Sequence, residues 1–282
     1  MMQDIKYINH LGEEVSLGRG TYKMLKDTSL LNYDWTHLTK NEYDPTIYAF
    51  SRSLVEKDIS IRIQSKSKLQ YNKDLNYLHE IFEKDIYAVS PGKIIIGDYY
   101  LSCYITTKTM SKYYPGALSM VNQYKVLSET GRWYHIVEKT FGAGSQSQVI
   151  DTGVRDYPRD YKYDYAPASG INRLISDSFV PFDFEIIYTG PWDTPYVIVS
   201  NYMYRVYTEL AQGEYLTVNS KTKTIVKTKK NGEKVNEFYL RDRDNYIFEK
   251  MKATNGSSYV SIPEGKICSI KAFTERSEPK WI

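Results

Sequence analysis

Residues 182–189 read Phe-Asp-Phe-Glu-Ile-Ile-Tyr-Thr. Phe182, Phe184, Ile186 and Tyr188 fall on one side of an extended chain, with Asp183, Glu185 and Thr189 on the other. An apolar period of two fits a strand with one buried face and does not fit a helix. Gly190-Pro191 ends the run, because proline has no N–H to give to a ladder. Strand-like runs follow at 196–199, at Tyr202, Tyr204 and Val206, at 215–218 after Gly213, and at 224–228 before Asn231-Gly232. Asn-Gly between such runs predicts a hairpin closed by a type I′ turn, which needs two positive φ angles. The second half of the chain is therefore expected to be all β.

The first half adds a single helix to further strands. Ile5, Tyr7, Val15 and Leu17, punctuated by Gly12, Gly18 and Gly20, predict a hairpin. Residues 50–55 and 58–64 read as strands, with Ile59, Ile61 and Ile63 sharing a face. The spacing of Leu75, Leu78, Phe82 and Ile86 predicts a helix over 73–86, capped by Asn72 and laid on a sheet. His79 flanks that apolar stripe. Runs 93–96 and 99–106 meet at Gly97-Asp98, a second hairpin signal, and runs 123–127 and 134–141 meet near Thr130-Gly131. Cys103 shares a face with Tyr99, Leu101 and Ile105, and so reads as a small buried apolar group.

Residues 142–148, Gly-Ala-Gly-Ser-Gln-Ser-Gln, have little to bury and read as a linker. Residues 156–165 are dense in tyrosine and charge and read as an edge strand or an arm packed between domains. The expected division is a domain of strands and one helix over 1–141, a linker over 142–156 and a β-sandwich over 157–282.

Composition removes several function classes. The 282 residues carry 37 Lys plus Arg against 34 Asp plus Glu, a balance that argues against nucleic acid as partner. No apolar run approaches the roughly 18 residues of a membrane span, and the opening Met-Met-Gln-Asp lacks the apolar core of a signal peptide. The only two cysteines, Cys103 and Cys268, form no CxxC and read as reduced structural thiols. The 28 tyrosines favour strands and interfaces, since each brings a large ring with a polar tip.

Catalytic patterns do not emerge. His10, His37, His79 and His135 are isolated, without the HxH or HxxxH spacing of a metal site. There is no phosphate-cradling glycine loop and no GxSxG elbow. Glu185 reads as a solvated outward group, and Lys221, Lys223, Lys227, Lys229, Lys230 and Lys234 as a solvated or edge-protecting face. Asn255-Gly256-Ser257 reads as a turn. No catalytic residue, cofactor or metal is expected. Tyr163 and Trp192 are the candidates for stacking on a saccharide, and Tyr157, Tyr161, Tyr163 and Tyr165 for an interface.

The order of motifs resembles the phage distal tail proteins, which form the hub of a siphovirus-type tail tip or baseplate. The resemblance rests on Tyr161-Lys162-Tyr163-Asp164-Tyr165, on 182–191 with its Gly-Pro break, on Thr194-Pro195 leading into 196–199, and on Tyr204-Arg205-Val206. Residues 213–220, Lys223-Thr224-Ile225, Asn231-Gly232-Glu233, 262–265 and 277–281 complete it, so that it covers about 157–282. In the first half it rests on the order strand, helix, Gly92 turn and hairpin, ending at Arg132-Trp133.

The resemblance implies a virion tail protein made in a bacterial host cytoplasm, with an N-terminal domain that builds a ring, typically a hexamer. It implies a galectin-like or carbohydrate-module-like β-sandwich outside that ring. Partners would be further copies of the chain, the tail tube protein, a tail-tip protein and a receptor-binding protein. The alternative reading is a carbohydrate-binding module for host surface saccharides, and the third is a cell-wall hydrolase, for which no residue stands out as the acid.

Overall fold

A computed structural model of the chain describes residues 5–26, 28–40, 46–52, 54–110, 116–142, 172–176, 178–254 and 256–280. The expected linker after Gly142 and the tyrosine-rich segment 156–165 lie outside the described residues. The chain divides into two compact units, one of residues 1–135 with 275–282, the other of residues 136–274. In this division the boundary lies between His135 and Ile136, and residues 275–282 fall with the first unit. The reason is local to that unit: Glu275 pairs with Arg132, and the Arg52 guanidinium donates to Ser277 Oγ at 2.6 Å. Side chains this far apart in sequence leave no mark on a composition profile.

In the first unit, β1 (Ile5–Ile8), β2 (Glu14–Ser16), β3 (Tyr22–Met24), β4 (Thr36–Thr39), β5 (Ile47–Ser51) and β6 (Val55–Gln64) precede the helix α1 (Lys68–Tyr87). β7 (Gly92–Ile96), β8 (Tyr99–Thr109), β9 (Ser119–Ser128) and the start of β10 (Trp133–Phe141) follow it. Antiparallel pairing gives the order β2-β1-β7-β8-β9-β6-β3. β8 pairs β7 and β10 through its first residues and β9 through its last, with a register shift between Ile105 and Thr107. A bulge there increases the local twist and lets one strand serve two layers. Ile59, Ile61 and Ile63 of β6 bury their shared face against a core that includes Leu78, Ile81 and Phe82 of α1.

The helix starts earlier than its apolar spacing predicts. Ser67 is the cap, its Oγ accepting from the Gln70 N–H at 3.2 Å, so Asn72 lies inside the helix. The buried stripe is Tyr71, Leu78, Ile81, Phe82 and Asp85, whereas Ile86 is exposed.

The second unit holds β11 (Arg173–Ile175), β12 (Asp183–Thr189), β13 (Trp192–Asp193), β14 (Tyr196–Val199), β15 (Tyr202–Arg205) and β16 (Glu209–Leu210). β17 (Tyr215–Asn219), β18 (Thr224–Thr228), β19 (Lys234–Asn236), β20 (Ser257–Ser261) and most of β21 (Ile267–Arg276) complete it. One antiparallel sheet runs β19-β18-β17-β12-β21 and another runs β11-β20-β14-β15. Their apolar faces share one core: Phe184, Ile186 and Tyr188 of β12 pack with residues such as Val197, Tyr204, Val218, Val260 and Ile270. This is the β-sandwich that the alternation at 182–189 predicts. The fold as a whole is mainly β, with one α-helix among the described residues.

Two turns show what their sequence demands. Gly190 is needed for close approach, since a Cβ there would collide with the Ala211 carbonyl oxygen, and the Gly190–Pro191 peptide is cis. At Asn231-Gly232 only the glycine takes positive φ, at 85°. The turn is closed by Gly232 N–H donating to the Lys229 carbonyl at 2.9 Å, so it is the longer hairpin loop with glycine in the left-handed position, not type I′.

Candidate interaction surfaces

Among the described residues no group of three or more His, Cys, Asp or Glu is placed to hold a metal ion. Several buried polar side chains of the first unit are committed to structure. Asp85 is fully buried; it accepts from the Tyr7 hydroxyl and from the His10 N–H at 2.8 Å, and its Oδ1 lies 2.6 Å from His10 Nδ1. Gly92 closes this cluster, because a Cβ there would meet both Tyr7 Oη and Asp85 Oδ2. Burial, helped by Asp85, pushes the Tyr7 hydroxyl far above its ordinary range, so it stays a donor. Burial likewise pushes the Cys103 thiol up to about 12, which leaves it inert.

β4 and β5 stand apart. Among the described residues they pair only with each other, and every residue of β4 is exposed. Leu38, Ile47, Tyr48 and Phe50 all face solvent, and Leu54 follows them. The root of this hairpin is fixed by stacking. The Arg52 guanidinium lies 4.3 Å from the Trp35 ring centre and 5.2 Å from that of Tyr33, and Arg132 approaches Trp35 at 6.0 Å. Arg52 also donates to the Gly131 carbonyl at 3.2 Å. Desolvation first, and the neighbouring Arg132 second, lower its pKa. Behind the root, buried Lys57 donates to the carbonyls of Leu30 at 2.7 Å and Asn32 at 2.5 Å. Burial and then Arg52 bring its pKa down to about 8.

The sequence candidates fare unevenly. Tyr157, Tyr161, Tyr163 and Tyr165 lie outside the described residues. Trp192 is not a stacking platform: it is 2 % exposed, edge-on to Tyr188 with ring centres 5.4 Å apart. The two-residue pairing of β13 with β16 turns the indole into the core, and no ring face remains for a sugar. Glu185 is outward as expected, accepting from Asn219 Nδ2 at 3.0 Å. The exposed hairpin escapes sequence reading because neither of its faces is buried by its own unit. Its one legible sign is the density of large side chains between Tyr33 and Phe50.

No family model matches the chain, and no curated protein does. Solved structures do match. A chain of the phage P2 baseplate in its activated conformation with Ca superposes with a TM-score of 0.64 at 13% identity, over 99% of this chain and 100% of that one. The same baseplate with Sr gives 0.63 at 14% identity, with the same coverage. The SPP1 Dit protein, described as a paradigm of the hub adsorption apparatus in phages infecting Gram-positive hosts, gives 0.57 at 8% identity over 96% and 99%. Likeness at such identity is likeness of fold, and the fold of this chain is that of the phage P2 baseplate chain and SPP1 Dit.

Proposed function

We propose that this chain is a structural, non-catalytic hub protein of a phage tail tip or baseplate. Copies associate side by side into a closed ring, a hexamer in the simplest case, which joins the tail tube to tip and receptor-binding proteins. The observation that carries this reading is the β4–β5 hairpin. A lone two-stranded hairpin is marginal in water, yet this one presents Leu38, Ile47, Tyr48 and Phe50 to solvent. A neighbouring copy that covers it removes that surface from water. Because hairpin meets a different patch on the next copy, the contact is heterologous and closes by rotation. The shared fold with baseplate and hub chains supports the same reading.

The test is the mass of the full chain in solution by light scattering, alone and with Tyr48 and Phe50 both changed to Ala. Wild type is expected as a multimer. Loss of an aromatic interface anchor costs about 2 kcal/mol, roughly thirty-fold in association per residue, so the double variant dissociates while its far-UV circular dichroism stays that of a folded chain. A wild-type chain that remains monomeric at high concentration and ignores tail tube protein would overturn the reading.

A further inference from the structure

The β4–β5 hairpin is carried on a joint whose parts come from distant stretches of the chain. On the entry side β6 clamps the approach. Ser29 N–H donates to the Asp58 carbonyl at 2.9 Å, Asp58 N–H to Ser29 Oγ at 2.7 Å, and Lys57 Nζ to the carbonyls of Leu30 and Asn32. At the base of the hairpin Thr36 pairs with Ser51, so Trp35 and Arg52 stand next in register. Trp35 N–H donates to Asp34 Oδ1 at 2.8 Å, and the indole receives two guanidiniums, Arg52 at 4.3 Å and Arg132 at 6.0 Å from its ring centre.

Two cations gathered on one ring repel each other, and residues 275–277 offset that repulsion. The Glu275 carboxylate, its side chain 10% exposed, pairs with Arg132. Ser277 Oγ accepts from Arg52 Nη2 at 2.6 Å. Arg52 Nη1 donates to the Gly131 carbonyl at 3.2 Å, in the turn that leads into β10. That turn is itself packed close: a Cβ on Gly131, whose φ is 57°, would crowd Val55 at the start of β6. Among the described residues no further strand pairs with β4 or β5, so the sheets lend the hairpin no second support.

We propose that residues 275–277 are a latch for the hairpin: Glu275 lets Arg52 and Arg132 share Trp35, Ser277 holds Arg52 in place, and together they set the direction in which Leu38, Tyr48 and Phe50 are presented. Both are positioning residues, since neither belongs to the hairpin. A chain segment that is merely tucked away needs an anchor on the framework. Here both anchors end instead on arginines that stack on the residue opening β4. The effect on assembly rests on the ring reading above, whereas the effect on the hairpin does not.

The test compares the full chain with Glu275→Gln, Ser277→Ala, Arg132→Gln and the pair Glu275→Gln/Arg132→Gln. Glu14→Gln is the control, because Glu14 makes an exposed ion pair with Lys6 at 3.2 Å between β1 and β2. Amide hydrogen exchange over 36–39 and 47–51 reads the hairpin, exchange over 55–64 and 119–128 reads the framework, and light scattering at the same concentration reads assembly. Glu275→Gln is expected to speed hairpin exchange about ten-fold, the scale of one lost charge-assisted hydrogen bond. The framework and Glu14→Gln stay as in wild type, and Ser277→Ala gives a smaller effect in the same residues. Because Glu275 acts by neutralising Arg132, the double variant exchanges no faster than Glu275→Gln alone. If Glu275→Gln fails to fold, Ser277→Ala decides. Hairpin exchange unchanged in both single variants overturns the latch even where wild type is a multimer, as does faster exchange spread equally over the framework. A wild type that stays monomeric, with a hairpin that still loosens in Glu275→Gln, refutes the ring and supports the latch.

Discussion

The two units bury their polar groups in different ways. The first unit encloses charged-type side chains: Asp85 is shared among the Tyr7 hydroxyl and two groups of His10, and the Lys57 ammonium is held by two backbone carbonyls. The centre of the second unit uses neutral pegs. Tyr188 donates to the Tyr204 carbonyl at 2.8 Å, and Tyr204 donates to the Glu249 carbonyl at 2.9 Å. A hub that satisfies several donors at once is expensive to break, because every partner is stranded together. A peg strands one acceptor. The first unit thus gathers several partners on Asp85, whereas the core of the second spreads its bonds over separate pegs, Asp242 with Arg205 and Asn245 excepted.

Asp85→Ala should show this contrast at its largest. Removing one member of a buried, hydrogen-bonded polar cluster costs about 3–5 kcal/mol. Amide hydrogen exchange should then report opening of residues 5–135 while 178–274 keep their protection. A loss below about 1 kcal/mol would break the comparison. Gly190→Ala probes the other side, because the new Cβ must displace the Ala211 backbone. Overpacking of this kind costs about 1–3 kcal/mol, and the lost protection should now be confined to the second unit. Tyr188→Phe removes a single peg, at about 1 kcal/mol; urea denaturation that finds as large a loss there as at Asp85 would erase the distinction.

What the sequence makes legible follows from the same physics. β12 is readable because its two faces see different media, so alternation is strict from Phe182 to Tyr188. The helix is readable where it packs, from Leu78 on. It is unreadable at its start, where Leu69 is exposed and Tyr71 is the only buried residue of the first turn. Asp85 is hidden because a carboxyl on a helix reads as surface, and its partners Tyr7 and His10 lie 78 and 75 positions away. The same blindness misassigns Trp192, whose burial depends on pairing with Leu210.

The smallest expected effect is a pH dependence that separates the units by composition. All four histidines lie at or before His135, so the second unit contains none. His79 is half-buried beside Tyr124, with Nε2 3.3 Å from its hydroxyl, on the wall of a cavity of about 260 Å³ shared with Phe82 and Lys108. Burial first, and Lys108 second, bring its pKa down to about 4 from the ordinary 6.5. In the unfolded chain this imidazole takes its proton near 6.5, whereas in the folded chain it does so only near 4. Between those values the unfolded state binds more protons, so the stability held by neutral His79 is fully present above about 6.5 and drains away as pH falls toward 4. His79→Gln keeps a polar side chain and removes the titration. Between pH 7 and 4.5 the first unit of wild type should therefore lose more stability than that of His79→Gln, by exchange or by melting, while the second unit responds alike in both. Parallel pH profiles for the first unit would mean that the imidazole is solvated after all, and that the buried polar groups setting this unit apart do not extend to the outer face of its helix.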